Sequence, residues 1–165
     1  MFYIIKIRGL NKKNIIIRKA MPGDEEKVLE LVKEVLSDYG LELNPEGEDL
    51  DITDIKKYYM DNNGDFEVIE FKGNIIGSYG VYRIDEETCE LRKMYLDKNF
   101  QSLGLGNIMM ENSIKLAKAL GYKRVILQTN SVLYKALKLY EKYGFEEIKE
   151  KVCERCDLAM VRDIA

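Results

Sequence analysis

Two rhythms of apolar positions alternate along the chain. Asn14 to Arg18 is a β-branched run and predicts a strand. Pro22, Gly23 and Asp24 then open a helix, with Asp24 at or near its cap. Val28, Leu31, Val32, Val35 and Leu36 recur at helical spacing up to Gly40. Ser37 to Asp54 reads as a loop and Ile55 to Met60 as a short second helix. The middle third alternates with period two. Phe66 to Phe71, Ile75 to Tyr82 and Cys89 to Leu96 predict three strands joined by turns at Lys72–Asn74 and Asp85–Glu87, an antiparallel meander.

The last third returns to helical spacing. Gly104 to Leu120 predicts a helix with Met109, Met110, Ser113, Leu116, Ala117 and Leu120 on one face and Gly121 as its stop. Val125 to Thr129 is an apolar strand, and Leu133 to Tyr143 a helix ending at Gly144. Phe145 to Val152 and Asp157 to Val161 read as closing strands. Strand, helix, strand implies a right-handed crossover and a local parallel pair. The predicted fold is therefore mixed α/β, an antiparallel meander followed by a βαβ unit, with about six to eight strands and four helices. Residues 14–165 read as one domain. Residues 1–13 read as an extension whose Phe2–Arg8 run is an extra strand, suited to capping an edge or to a subunit contact in a homodimer.

Composition narrows the function. High apolar content (46%) with well-mixed charge excludes disorder as the main state. Lys and Arg number 26 against 29 Asp and Glu, so the strong basic excess of a general nucleic-acid binder is missing. No apolar run reaches membrane-spanning length, and the opening MFYIIKIRG is too short and too charged for a signal peptide, so a cytoplasmic location is expected. The chain has no histidine. That removes Ser-His-Asp and Cys-His catalysis and His-ligated metals, leaving carboxylates, Tyr, Lys, Cys and backbone dipoles. Cys153 and Cys156 have C-x-x-C spacing, but the pattern places them in a strand, on opposite faces, and no second pair completes a zinc site. They read as ordinary reduced thiols rather than a redox or metal pair.

The most informative segment runs from Leu96 to Asn107, between a strand end and a helix start. Gly104 and Gly106 let the backbone approach a ligand, and the helix start adds unpaired N–H donors and about half a positive charge. The loop from Asn99 to Asn107 has no charged side chain, so anion binding there rests on the backbone. A third glycine three places after Gly106 is missing, which excludes a Rossmann loop, and no Gly-Lys-Ser/Thr occurs, which excludes a P-loop.

The chain resembles the GCN5-related N-acetyltransferase family in three ordered motifs. Ile17 to Ala20 followed by Asp24 looks like the family's opening strand and helix. Glu90 to Leu96 followed by Gln101 to Gly106 is similar to its acetyl-CoA motif. Ala136 to Phe145, with Tyr140 and Gly144, is similar to its late helix-to-strand signature. The resemblance implies an acetyl-CoA-dependent N-acetyltransferase that moves an acetyl group to a primary amine by direct attack on the thioester. It implies that Met94, Tyr95 and Leu96 run beside the pantetheine arm, with the Leu96 N–H polarising the carbonyl. Gln101, Ser102, Leu103, Gly104, Leu105, Gly106 and Asn107 would hold the phosphates. Gln101 stands where the family often has Arg, so one cationic contact is missing. Leu133 stands where many members have a cofactor-contacting Asn, and Asn130 is the substitute.

Two residues carry the proton chemistry in this reading. Tyr140 would face the departing thiolate, although moving a proton from a phenol to a thiol costs about 2 kcal/mol at ordinary pKa values. The bland alternative is a core-capping aromatic, as for Tyr134 and Tyr143. Glu90 would be the general base, directly or through water, on one strand face with Arg92, Met94 and Leu96. Its bland alternative is a surface acid paired with Arg92, while Arg92 itself could orient an acceptor carboxylate. The loop from Ser37 to Asp54 holds seven acids and no base. Either it draws a small cationic amine or it is simply solvated. Two rivals keep the glycine loop: a non-catalytic acyl-CoA sensor, and a nucleotide-binding protein that uses the same helix start.

Overall fold

The computed structural model describes residues 3–4 and 15–165. Its eight strands form one sheet in the order β1-β2-β3-β4-β5-β6-β8-β7. The antiparallel part is longer than the three strands expected from the pattern. β2 (Ile15–Lys19) pairs with β3 (Asp65–Phe71), β3 with β4 (Asn74–Arg83), and β4 with β5 (Thr88–Leu96). At the edge, β1 (Tyr3–Ile4) pairs with Ile16 and Ile17 of β2. The rest of the extra strand expected over Phe2–Arg8 lies outside the described residues. Lys72 and Gly73 both have positive φ, the two-residue turn that matches strand twist, so the β3–β4 hairpin closes tightly.

Helices cover both faces. α1 (Glu25–Ser37) buries Val28, Leu31, Val32, Val35 and Leu36 against Phe66 and Val68 of the sheet, joined by Ile52, Ile55 and Tyr59 from the short α2 region (α2 itself Ile55–Tyr58). Asp24 stands at the cap of α1 but makes no capping bond. Its carboxylate accepts instead from both Arg18 Nη atoms (2.7 and 3.0 Å) and from the Met21 N–H (2.7 Å). This buried charge pair fastens β2 to the start of α1. On the other face lie α3 (Leu105–Ala119) and α4 (Tyr134–Lys142), with Leu105, Met109, Met110, Ile114 and Ala117 packed on Ile17, Ile69 and Leu127. α3 is the expected crossover. β5 and β6 (Arg124–Thr129) run parallel, and β8 (Leu158–Asp163) and β7 (Glu146–Ile148) close the sheet.

Two departures from the sequence pattern shape the site. The first is a β-bulge. Gly80 lies opposite Arg92 but Ser78 lies opposite Tyr95, and Lys93 has φ +54°. One extra residue reverses which way later side chains point. Cys89 and Leu91 pack on the α3 face before the bulge, and Met94 and Leu96 do so after it. Glu90 and Arg92 therefore do not share a face with Met94 and Leu96, as strict alternation predicts. The Ser78 hydroxyl donates to the Lys93 carbonyl (2.7 Å) and pins the bulge.

The second departure is at the C-terminal end. β7 stops at Ile148 instead of continuing to Val152, because Lys149, Glu150 and Lys151 offer no apolar face to the sheet. Residues 149–157 leave the sheet. Cys153 and Cys156 lie across a turn, not on opposite faces of a strand. The Cys156 N–H donates to the Cys153 carbonyl (2.9 Å), and the two sulfurs form a disulfide with Cα atoms 5.1 Å apart. Cys89 is a free, buried thiol, and burial pushes its pKa up to about 12.

Candidate active site

β5 and β6 pair only through Thr88, Cys89 and Glu90, against Arg124, Val125 and Ile126. Beyond Glu90 the two strands diverge, and a cleft of about 650 Å³ opens through the sheet there. The Asp97 N–H bonds back to the Ile76 carbonyl on β4 (2.8 Å). Successive N–H groups of a strand alternate in direction, so that of Leu96 is turned toward the open edge.

One half of the cleft lies between α3 and α4. Gly104 caps α3 with φ +83°, and a Cβ there would meet open space. No side chain of a described residue caps the helix, and the first helical bond runs from the Ile108 N–H to the Gly104 carbonyl. The N–H groups of Leu105, Gly106 and Asn107 thus have no helical partner. Met94, Leu96, Gln101, Ser102, Gly104, Gly106 and Asn107 line this half, while the side chains of Leu103 and Leu105 go into the core. Charge reaches the loop from outside it. Lys135 Nζ donates to Gln101 Oε1 (3.0 Å), and Lys142 Nζ donates to Asn107 Oδ1 (2.7 Å). Tyr140 faces the cleft from α4. Its ring is edge-on to Phe145, and its hydroxyl makes no hydrogen bond to a described residue. Burial, with the nearby Tyr95, pushes its pKa well up, so it stays protonated.

The other half lies under the loop from Asp38 to Asp54 and is charged. Glu90 is 5% exposed, so it is not a surface acid. It accepts from Arg92 Nη2 (2.8 Å) and Gln128 Nε2 (3.3 Å). Arg92 stacks on Tyr82, 3.6 Å from the ring centre, and reaches Asp51 at 3.6 Å. Asp51 also pairs with Lys93 (3.1 Å) and accepts a short hydrogen bond from Tyr59. Asp49, fully buried, pairs with Lys93 (3.2 Å) and takes a two-pronged bond from Arg155 (2.6 and 2.9 Å). Burial raises the Asp49 pKa, but Arg155 and Lys93 outweigh it and hold the carboxyl below the usual range. The loop is therefore not wholly solvated: Asp49 and Asp51, together with Glu90, offset the charges of Arg92, Lys93 and Arg155. Asn130 is also committed, donating to the Arg155 carbonyl (2.9 Å) and accepting from the Val132 N–H (3.0 Å).

Residues 29–145 match the model of the acetyltransferase (GNAT) family. The chain belongs to this family. It is 25% identical over 158 residues to an uncharacterised N-acetyltransferase, YjgM, of Escherichia coli K12, covering 90% of this chain and 95% of that protein. It is 35% identical over 102 residues to the N-acetylaspartate synthetase of Danio rerio, covering 61% of this chain but 36% of that protein. Among solved structures, a GNAT acetyltransferase from Elizabethkingia anophelis with acetyl-CoA bound superposes with a TM-score of 0.62 at 25% identity, covering 93% of this chain and all of that one. As a family member the chain is an acyltransferase, and acetyl-CoA is the family's cosubstrate.

The structure brings Tyr140, Glu90, Met94, Tyr95, Leu96, Asn130 and the glycine loop to one cleft. Tyr95 takes part mainly through its backbone. Its ring packs on the α1 side with its hydroxyl by Arg155, and burial pushes its pKa up to about 12. Tyr134, expected to cap the core, is exposed and edge-on to Tyr39 (6.4 Å). Sequence reasoning missed Lys135, Gln128 and Lys93, and gave Asp49 and Asp51 only as acids of the Ser37–Asp54 loop. Lys135 lies in the first turn of α4, and only the fold brings that turn to Gln101. The Arg155–Asp157 segment reads equally as lining the acceptor side or finishing the sheet, because the partner of Arg155 is 106 residues away.

Proposed function

We propose that residues 14–165 form an N-acetyltransferase domain that moves the acetyl group of acetyl-CoA to a primary amine. The observation that carries this reading is the open edge of β5 beside the uncapped start of α3, with the Tyr140 hydroxyl facing the same cleft. A long ligand with phosphates at one end and a thioester at the other fits such a channel. Acetyl-CoA, when bound, supplies an activated acyl carbonyl. The α3 N–H groups and Lys135 hold the phosphates. Met94 to Leu96 offer backbone partners along the arm, as an added strand would find. The Leu96 N–H donates to the carbonyl oxygen as it gains charge. Tyr140 hydrogen-bonds the sulfur. Its raised pKa makes full proton transfer cost more than the 2 kcal/mol expected from ordinary values, so it stabilises the sulfur chiefly as a donor. Glu90 takes the amine proton, directly or through water.

The acceptor in this reading is a small cationic amine. Arg92, Lys93 and Arg155 are each paired to a carboxylate, so among the described residues no cation in this half is left for an acceptor carboxylate. A second reading, an acidic amino acid, is favoured by the name of the Danio rerio relative. It requires Arg92 to leave Glu90.

Thermal unfolding with acetyl-CoA, CoA, ATP or NAD tests the donor. At about a hundred times its dissociation constant a ligand adds about 2.7 kcal/mol, or roughly 5–10 °C here. A rise with the first two only is expected, and no rise with acetyl-CoA defeats the proposal. A panel of polyamines and amino acids then tests the acceptor, and faster turnover of aspartate selects the second reading. Tyr140→Phe should lower kcat about tenfold or more. An acyl-CoA sensor would bind unchanged and show no turnover in either form.

A further inference from the structure

The turn that carries Arg155 is closed by a disulfide in the wall of the cleft. Cys153 and Cys156 are half-buried and both face the cleft, so a small reductant can reach them. Neither end of this turn is free. The Cys153 N–H donates to Gln128 Oε1 (2.7 Å), and the same Gln128 amide donates to Glu90. The Asp157 carboxylate accepts from the N–H and hydroxyl of Ser131 (2.8 and 2.7 Å). Between these anchors the Arg155 side chain crosses to the opposite wall. There it meets both Asp49 oxygens and the Glu42 carbonyl (3.0 Å). The four-residue ring is thus joined to the general base on one side and to the acceptor loop on the other.

We propose that Cys153 and Cys156 are a thiol–disulfide exchange site whose state sets the position of the acceptor loop. The co-reactant is a dithiol. One of its thiolates attacks one cysteine sulfur, forming a mixed disulfide and releasing the other cysteine as a thiolate. Its second thiol resolves the mixed disulfide. One S–S bond in the protein is broken, one forms in the reductant, and two electrons and two protons pass to the protein. Closed, the ring holds Arg155 on Asp49 and Gln128 on Glu90. Open, the turn is free to extend, and the Arg155 clamp on residues 42–49 is released. Asn130 and Ser131 bond to the turn, but no described residue of the glycine loop Gln101–Asn107 or of α4 does, so acetyl-CoA binding responds to its state less than the acceptor does.

The test uses the wild-type protein in two preparations, one treated with oxidised and one with reduced dithiothreitol. Thiol counting after denaturation should give one (Cys89) and three. Hydrogen exchange over residues 42–51 should be faster in the reduced form. The acceptor KM should rise by about fivefold or more on reduction while that for acetyl-CoA changes by less than about twofold. A C153S/C156S variant should match the reduced form whatever the treatment. Three thiols after oxidation, or identical exchange at residues 42–51 in both states, overturns the proposal. Thiol count and exchange need no turnover. A protein that switches in both but acetylates nothing keeps this inference and refutes the transferase reading instead.

Discussion

The two halves of the cleft are built on opposite principles. The α3–α4 half comes mainly from one continuous stretch, Met94 to Asn107, with Lys135 and Tyr140 added from α4, and uses mostly backbone: an open strand edge, a left-handed glycine and a helix start with spare donors. The half under the Asp38–Asp54 loop comes from four separate segments and uses side-chain charge: Asp49 and Asp51, Glu90 with Arg92 and Lys93, Gln128, and Arg155. A backbone site tolerates sequence change, because any residue supplies an N–H. A buried ion network does not, because removing one member leaves another charge unpaired. Under the proposed function, the half that would hold acetyl-CoA is thus also the one most robust to mutation, and the half that would distinguish acceptors is the fragile one.

This contrast can be broken most sharply at Asp49. Asp49→Asn leaves Lys93 and Arg155 without their shared carboxylate, and the cost should be about 3–5 kcal/mol in urea unfolding at pH 7. Because the folded Asp49 pKa is depressed, its contribution is fully present above the unfolded value near 4 and is lost as pH falls through the folded value. The acid-induced loss of stability should therefore be smaller in the variant than in the wild type. An equal loss in both would mean that Asp49 is not a stabilising partner.

Next in size is Glu90→Gln. If the charged half serves only the acceptor, kcat should fall about a hundredfold at neutral pH and recover in part at high pH, where the amine loses its own proton. The midpoint rise with acetyl-CoA should be unchanged. A reduced rise would show that the halves are not separable. Gly104→Ala probes the other side. Its Cβ meets nothing, so the expense is the left-handed backbone alone, about 1–2 kcal/mol. It should appear as that loss in urea unfolding, with acetyl-CoA binding weakened in calorimetry only as far as the loop relaxes to relieve it, and the acceptor KM unaltered. The smallest effect is expected for Lys135→Ala, an exposed cation. A rise of about threefold in the acetyl-CoA KM, fading at high salt, fits a screened phosphate contact. No salt dependence would assign Lys135 to holding Gln101 alone.

How much of this was legible follows the same division. The strand and helix order, the crossover and the glycine loop were readable because each is a local pattern, periodicity plus a start or stop residue. Lys93 was not. A bulge residue carries no sequence mark, and only its pairing with β4 shows that the strand has one residue too many. The acids of the Ser37–Asp54 loop were visible, but not that Asp49 and Asp51 are buried, since that depends on Lys93, Arg92 and Arg155 arriving from elsewhere. The thiol pair was misjudged for a related reason: the charged run at Lys149–Lys151 ends the strand early, and the turn beyond it brings the sulfurs together.

The bulge at Lys93 also bears on how such a protein can diversify. Positions 90 and 92 precede it and positions 94 and 96 follow it, so neighbouring codons address opposite sides of the sheet. Under the proposed function, positions 92 and 128 can be varied to explore new amines with Glu90 kept as the base, while 94, 96 and 101–107 keep the acyl donor. One inserted residue thus turns positions 92 and 94, which would otherwise share a face, to opposite sides of the sheet.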